Sequence, residues 1–310
     1  MKDVFYLENN DQNNFFLKRC PSCQSVEQGS QKKYPDIILV KCLNCKLIYS
    51  SYRKFNVPRL QDDWLIDLDI IDSYYDPQFT EKNIYYLSFI NKHIPKLSSI
   101  LDVGAAYGAF VDYCRMKGVK SEGIELSSTA CKVAFEKFGI KLINKKLDSS
   151  KDLIGSFDVI TAFDVIEHID QLDNFLLEIK NMLPEHGSFV LTVPNNRSLT
   201  NKLCFLSYKL TLGFIEAPVR MLTQTNYQSH HVSYFTNQSL RFALEVAGFK
   251  IIASDSLSTI SKSNFFDRDD FGSRTKVFKI IGKIIIGLVQ SVEPFFGGRD
   301  TLIIVAKIRK

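Results

Sequence analysis

From Ser99 onward the chain alternates between short apolar runs and stretches with helical spacing. SSILDVG leads into an amphipathic run ending at Gly118, and VKSEGIEL into a helical run through Phe138; IKLIN, FDVITAF, DQLDNFLLEIKNML and GSFVLTVPN follow. Short apolar runs bounded by turn residues read as buried strands, and apolar residues three or four apart read as helix. Repeated alternation of the two implies the doubly wound α/β class, a mostly parallel sheet with helices on both faces. Further on, SLRFALEVAGF reads as a helix stopped by Gly248, while FKIIASDS and TLIIVAKI read as strands that bring the sheet to seven.

Outside this rhythm the pattern divides the chain into three parts. Residues 1–55 form a small N-terminal module. Residues 56–98 hold Trp64, Tyr74, Tyr75 and EKNIYYLSFINKHI, in which Ile84, Leu87, Phe89 and Ile90 share one apolar face, so this part reads as a helical connector or lid. Residues 99–310 form the α/β domain, interrupted by an insertion at about 196–232 with helical apolar segments. Neither internal repeats nor low-complexity tracts are evident.

Composition narrows the function classes. The chain has 310 residues, 45% of them hydrophobic, enough for one large core and one small satellite. No stretch reaches the roughly 18 uninterrupted apolar residues of a spanning helix, and Lys276, Lys279 and Lys283 interrupt the best candidate, VFKIIGKIIIGLVQSV. Those lysines make a basic stripe beside Ile280, Ile284 and Leu288, a candidate peripheral membrane contact, with packing on the core as the ordinary explanation. The first residues, MKDVFYLENNDQNN, lack the apolar region of a secretory signal, so a cytoplasmic location is expected. The formal charge of +5 is modest, and its basic residues are scattered among acids, which argues against a nucleic-acid partner.

Four of the seven cysteines fall in two knuckles, Cys20-Pro-Ser-Cys23 and Cys42-Leu-Asn-Cys45, 18 residues apart. This is the spacing of a four-thiolate zinc ribbon, each tight turn aiming two sulfurs at one point while a hairpin including Ile37 to Val40 joins the pairs. A filled tetrahedral shell leaves no position for substrate, so the site reads as structural. Cys114, Cys131 and Cys204 stand in apolar surroundings and read as inert core thiols.

Candidate cofactor chemistry begins after the first sheet strand, at Leu101-Asp102-Val103-Gly104-Ala105-Ala106-Tyr107-Gly108. Small residues there let backbone N–H groups approach a ligand at a helix start, and Glu125 closes the next strand, where a carboxylate can accept both hydroxyls of a ribose. Together they indicate an adenosine-containing ligand. Gly104, Ala106 and Ala109 also echo a degraded nicotinamide-binding fingerprint, but Asp102, two residues before the first glycine, suits the amino group of a methionine moiety.

Just past FDVITAF, Asp164, Glu167 and His168 would share one face if the segment were helical. Two carboxylates and an imidazole make a candidate divalent-cation site, and His168 is a candidate general base, with a structural hydrogen-bonding role of equal weight. His230 and His231 follow the insertion as further candidates. Being adjacent, they cannot both point the same way on a strand.

These motifs resemble the class I S-adenosylmethionine methyltransferases, in particular bacterial small-molecule enzymes that place a zinc-binding segment before the catalytic domain. LDVGAAYG resembles the family's first motif, GIELS the acidic end of strand two, FDVITAFDVIEHI the fourth motif, HGSFVLTVPN strand five, and HHVSYFTNQSLRFALEVAGFKI a segment after the insertion. The resemblance implies S-adenosylmethionine as cofactor, with Asp102, Gly104, Ala106 and Gly108 around its methionine part and Glu125 on the ribose. Leu147 and Asp148 would flank the adenine, and Phe163 and Asp164 would complete the surroundings. Ala106 replaces a frequent glycine, which a close turn tolerates if its φ is negative.

The reaction so implied is in-line displacement, a substrate atom attacking the sulfonium methyl in a site that aligns the partners and excludes water. Three readings stay open. Resemblance to zinc-headed sugar methyltransferases suggests a sugar, glycan precursor or related metabolite as acceptor. The acid-x-x-acid-His segment, similar to that of ubiquinone O-methyltransferases, suggests a quinone or other aromatic ring. A binding protein with an adenosine pocket but no turnover is the third.

Overall fold

The structure, a computed structural model, describes residues 14–54, 77–225, 230–259, 280, 284, 287–296 and 298–309. Trp64, Tyr74, Tyr75, Lys276, Lys279 and Lys283 lie outside the described residues.

The main sheet contains β5 (Ser99–Val103), β6 (Lys120–Ile124), β7 (Val159–Phe163), β8 (Ser188–Pro194), β10 (Phe249–Leu257) and β11 (Thr301–Ile308), in the order β10-β11-β8-β7-β5-β6. The first four in chain order are parallel, and β11 is wedged antiparallel between β8 and β10. Among the described residues the sheet therefore has six strands rather than the expected seven. IKLIN reaches the β6 edge but makes only the bridge Ile124–Ile143. Pairing stops there because the Asn144 amide bonds the carbonyls of Glu125 (2.9 Å) and Leu126 (2.8 Å), which a longer ladder would need.

The sheet is buried on both faces, and alternate side chains divide between them. Leu101, Ile160, Phe189, Leu191 and Ile304 join one apolar cluster with Leu176 and Ile179 of α4 (Leu172–Met182) and Leu240 and Leu244 of α7 (Asn237–Val246). Ile100, Val159, Val190 and Ile303 face the other way, onto α1 (Pro77–His93) and α2 (Ala109–Met116). In α1 the buried face is Tyr86, Leu87, Phe89 and Ile90, whereas Ile84, expected among them, is exposed.

The N-terminal strands β1 (Asn14–Phe16), β2 (Gln28–Tyr34), β3 (Ile37–Cys42) and β4 (Ile48–Lys54) form an antiparallel sheet that gains a fifth strand from far along the chain. β9 (Ser233–Tyr234) pairs with β4 through Ile48–Tyr234 and Tyr49–Ser233. The apolar cluster is continuous across this junction: Cys20, Val40, Leu47 and Tyr49 belong to the same cluster as Leu101 and Phe189. A module this small cannot bury a core of its own, and it borrows the larger one. The insertion contributes α5 (Leu199–Leu210) and α6 (Ala217–Thr223); Arg220 of α6 reaches Asp36 at 2.5 Å, and Tyr34 packs on Phe205 and Tyr208 of α5.

Phe189 is fully buried between α4 and α7, so Phe189→Ala should destabilise the chain by about 3–5 kcal/mol in chemical denaturation. Truncating Leu212, which is 89% exposed, should change stability by less than about 0.5 kcal/mol.

Candidate functional site

The crevice at the carboxyl end of β5 is shaped by a tight turn. Gly104 and Ala105 both donate to the Ile124 carbonyl at 2.9 and 3.0 Å, and Gly108 donates to Ala105 at 2.7 Å. Gly104 and Gly108 both have φ of 76°, in the left-handed region. A Cβ on Gly104 would stand 2.5 Å from a Val165 methyl, so the absence of a side chain lets this turn touch the loop after β7. Ala106 also lies in the left-handed region, at φ 50°, contrary to the negative φ expected of it. A non-glycine residue there carries about 1–2 kcal/mol of strain, and Glu125 holds it in place.

Glu125 follows β6 and is buried. One carboxylate oxygen accepts the Ala106 N–H at 2.9 Å and the other the Ser127 N–H at 2.8 Å. Ser127 in turn caps α3 (Ser128–Phe138), its hydroxyl accepting from Ala130 at 3.0 Å. Behind the turn, Asp102 is buried and accepts from the Thr161 hydroxyl at 2.5 Å. Burial pushes its carboxyl up to about 7, the Thr161 bond opposing and the Glu125 charge adding. Leu147 and Asp148 stand in a short turn, Leu147 against the core and Asp148 exposed, while Phe163 stacks on Tyr86 with ring centres 4.2 Å apart.

A second constellation forms past β7. Here the expected helical face is absent, because only Ile166 to His168 make a single tight turn and Asp164 precedes it with φ of 56°. The Asp164 carboxylate accepts from the Thr192 hydroxyl at 3.0 Å and is exposed. The group that converges is instead Glu167, His168 and His231, with one donor atom from each lying within 4.8 Å of the others. Val232 donates to the Glu167 carbonyl at 2.7 Å, and His168 Nδ1 bonds the His230 carbonyl at 2.8 Å, which locks the turn to the segment after the insertion. His231 Nδ1 bonds the Leu222 carbonyl at 3.2 Å, and its ring centre is 4.9 Å from that of His168. His230 bonds the Gln224 carbonyl at 3.0 Å and is not part of the group.

Burial dominates the electrostatics of this group. It holds Glu167 well above the ordinary carboxylate range, the nearby Asp164 adding to the effect, and it holds His231 well below the ordinary imidazole range, with His168 and Arg53 adding.

Arg53 is a member of the site that the sequence did not disclose. Almost wholly buried on β4, it donates to the His231 carbonyl and, at 2.9 Å, to the Tyr234 hydroxyl, while Ser50 donates to the Val232 carbonyl at 2.9 Å. A lone arginine in the strand IYSSYRK carries no signal of a partner 178 residues away.

Cys20, Cys23, Cys42 and Cys45 come together as the knuckles require. Cys20–Cys45 and Cys23–Cys42 sulfurs are 3.5 and 3.6 Å apart, too long for disulfides and close to the roughly 3.8 Å edge of a tetrahedral zinc–thiolate site. The donor set fits zinc.

With this geometry in view, the profile of the methyltransferase-domain family matches residues 75–254, more than half of the chain. The chain belongs to that family. This methyltransferase is an enzyme. Among solved structures, one chain in the Haloferax volcanii complex of the Trm112 methyltransferase activator with a putative methyltransferase is 16% identical, with 78% of this chain and 97% of that one covered and a TM-score of 0.51. A SAM-dependent methyltransferase from Archaeoglobus fulgidus is also 16% identical, covering 78% and 100%, with a TM-score of 0.49. The Burkholderia thailandensis 1,6-didemethyltoxoflavin-N1-methyltransferase is 14% identical, covering 92% and 100%, at 0.46. At such identities the likeness is one of fold. No curated protein sequence matches the chain.

In the methyltransferase, a recess of about 330 Å³ opens at the carboxyl ends of β8 and β10, lined by Asn195, Arg197, Asn237, Gln238, Ser254 and Asp255 among others. Ile280, Ile284 and Leu288 are exposed rather than packed on the core, as are Leu210, Leu212 and Phe214 of the insertion. Among the described residues, no helix is long and apolar enough to cross a membrane.

Asp102 gives the site a pH signature. The folded chain keeps its proton up to about 7 and the unfolded chain only to about 4, so between those values the folded state binds the extra proton. Its contribution is fully present below about pH 4 and lost as pH rises through 7. Denaturation of Asp102→Asn beside the parent should show the parent losing a few kcal/mol relative to the variant across that window.

Proposed function

We propose that this enzyme methylates a small polar metabolite, a sugar or glycan precursor, with the cofactor seated in the crevice between β5 and β6. The observation that carries this reading is Glu125. Its buried carboxylate accepts the N–H groups of Ala106 and Ser127, which sets a charged acceptor at the end of β6 beside the glycine turn, the place from which a carboxylate meets the vicinal hydroxyls of a ribose. Asp102, Gly104, Ala106 and Gly108 surround the methionine part, Leu147 and Asp148 flank the adenine, and Phe163 and Asp164 close the far side.

The acceptor meets the methyl group beside Glu167, His168 and His231, the converging polar group on the loop that Gly104 touches through Val165. The acceptor oxygen attacks the methyl carbon, the carbon–sulfur bond breaks, and its electron pair stays on sulfur. The imidazoles of half-buried His168 and buried His231 hold the acceptor hydroxyl and its proton, with His230 bracing His168 through its carbonyl. The amide- and hydroxyl-lined recess suits a polyhydroxylated ligand.

A second reading, a quinone-like ring drawn from a membrane surface, is favoured by the exposed Leu210, Leu212 and Phe214 together with Ile280, Ile284 and Leu288. Sedimentation with vesicles separates the two, since only the second requires co-pelleting and its loss in Phe214→Ser.

The four cysteines hold a structural zinc, and residues 1–55 act as a ribbon whose fifth strand is β9, residues 56–98 as a connector and residues 99–310 as the catalytic part. Removing zinc, or Cys42→Ser, should lower Tm by at least about 5 °C and reduce methyl transfer, because the loosened β4 releases His231.

Calorimetry with S-adenosylmethionine tests the cofactor site: the parent should bind and Glu125→Ala should bind roughly 10–100-fold more weakly. Radiolabelled methyl transfer into fractions of a cell extract tests the acceptor. Label in polar metabolites supports the first reading, and label only in apolar lipids overturns it.

A further inference from the structure

The recess at the carboxyl ends of β8 and β10 opens on the same edge of the sheet as the glycine turn. β8 runs parallel to β7 and β7 to β5, while β10 is antiparallel to β11 and β11 to β8, so β10 runs in the sense of β8. In the order β10-β11-β8-β7-β5-β6, the strand β7, whose following turn carries Glu167 and His168, stands between the strands of the recess and those of the crevice. Neighbouring strands lie about 4.8 Å apart, which puts β11 about 10 Å from β7. A monosaccharide with one substituent covers that span.

Most polar groups of the recess wall are committed to the fold. Asn195 is buried; its amide donates to the Arg299 carbonyl at 2.9 Å and its oxygen accepts the Arg197 N–H at 3.0 Å, which fixes the backbone that bears the Arg197 side chain. Asn237 donates to the Ser254 hydroxyl at 3.3 Å and accepts from Arg241 at 2.6 Å. Asp255 accepts the Tyr85 hydroxyl at 3.1 Å and the Ser256 N–H at 2.7 Å.

Two lining side chains differ from these. The Arg197 guanidinium and the Gln238 amide have no hydrogen-bond partner among the described residues. What is uncommitted is therefore rich in donors, since a guanidinium is a charged, planar fork of N–H groups with no acceptor, and an amide adds a further NH₂. A ligand that matches them brings acceptor oxygens and negative charge. Asp255, a carboxylate whose capacity exceeds the two bonds it makes, matches a hydroxyl instead.

We propose that this recess binds the non-reacting end of the acceptor, and that the acceptor is a polyhydroxylated molecule bearing an anionic group, a phosphate or a carboxylate. Arg197 and Gln238 receive the anionic group, and Asp255 accepts from a hydroxyl. This deepens the polar-metabolite reading above and rests on it. Binding energy at this remote end holds the reacting hydroxyl at the turn after β7, where the methyl group is presented. Arg197 is a specificity-determining residue and takes no part in the bond-making step.

The test uses the full chain with radiolabelled S-adenosylmethionine and the polar fraction of a cell extract, the products being separated on an anion exchanger. Label should be retained by the exchanger. Release of that label by phosphatase and phosphodiesterase marks a phosphate, and label that stays bound marks a carboxylate; either supports the proposal. With the retained acceptor purified, Arg197→Met should raise KM at least about tenfold and change kcat less than about twofold, with part of the loss recovered in Arg197→Lys. Gln238→Ala should raise KM by a smaller factor. Both residues are exposed, and calorimetry of S-adenosylmethionine on each variant should match the parent, which shows that the fold is intact.

Label in neutral metabolites that pass the exchanger, or an unchanged KM for the charged acceptor in Arg197→Met, would overturn this proposal and leave the polar-metabolite reading standing. Label in no polar fraction would sink that reading and this one with it.

Discussion

The bond pair made by Glu125 is the constraint on which the active region depends. Its carboxylate reaches the backbone of the turn after β5 and the first residue before α3, so one side chain fixes the crevice between two neighbouring strands. Its bond to the Ala106 N–H holds that residue in a left-handed conformation that disfavours a side chain. The same turn touches Val165, and through it the position of the turn after β7 follows. Cofactor crevice and polar trio are therefore set by one short chain of contacts.

The N-terminal module belongs to this chain of contacts as well. Its β4 pairs with β9, its Arg53 holds the carbonyl of His231, and its Pro21 carbonyl accepts the N–H of Asp173 at the start of α4. A ribbon that merely tethered the domain would need none of these. On the proposed zinc site, ligation by the four cysteines sets local order in β3 and β4, and β4 passes it to the histidine segment across the sheet.

Much of this was legible in the sequence because its signals are local. Cysteine knuckles, alternating strands and helices, the glycine turn and the acid at the end of β6 all lie within short windows, and each appears where spacing placed it. What failed to show depended on tertiary context. The seventh strand reduces to one bridge because Asn144 takes carbonyls a ladder would use. Asp164 leaves the trio because the segment turns too tightly to be a helix. His231 replaces it, and Arg53 supports it, through contacts spanning 62 to 178 residues that no window of sequence could contain.

A crystal structure of the chain grown with S-adenosylhomocysteine addresses the central claim most directly. The ribose hydroxyls should lie on the Glu125 carboxylate, and the sulfur should face the loop bearing Glu167 and His168. An empty crevice with the nucleoside bound elsewhere, or a ribose that makes no contact with Glu125, would contradict it.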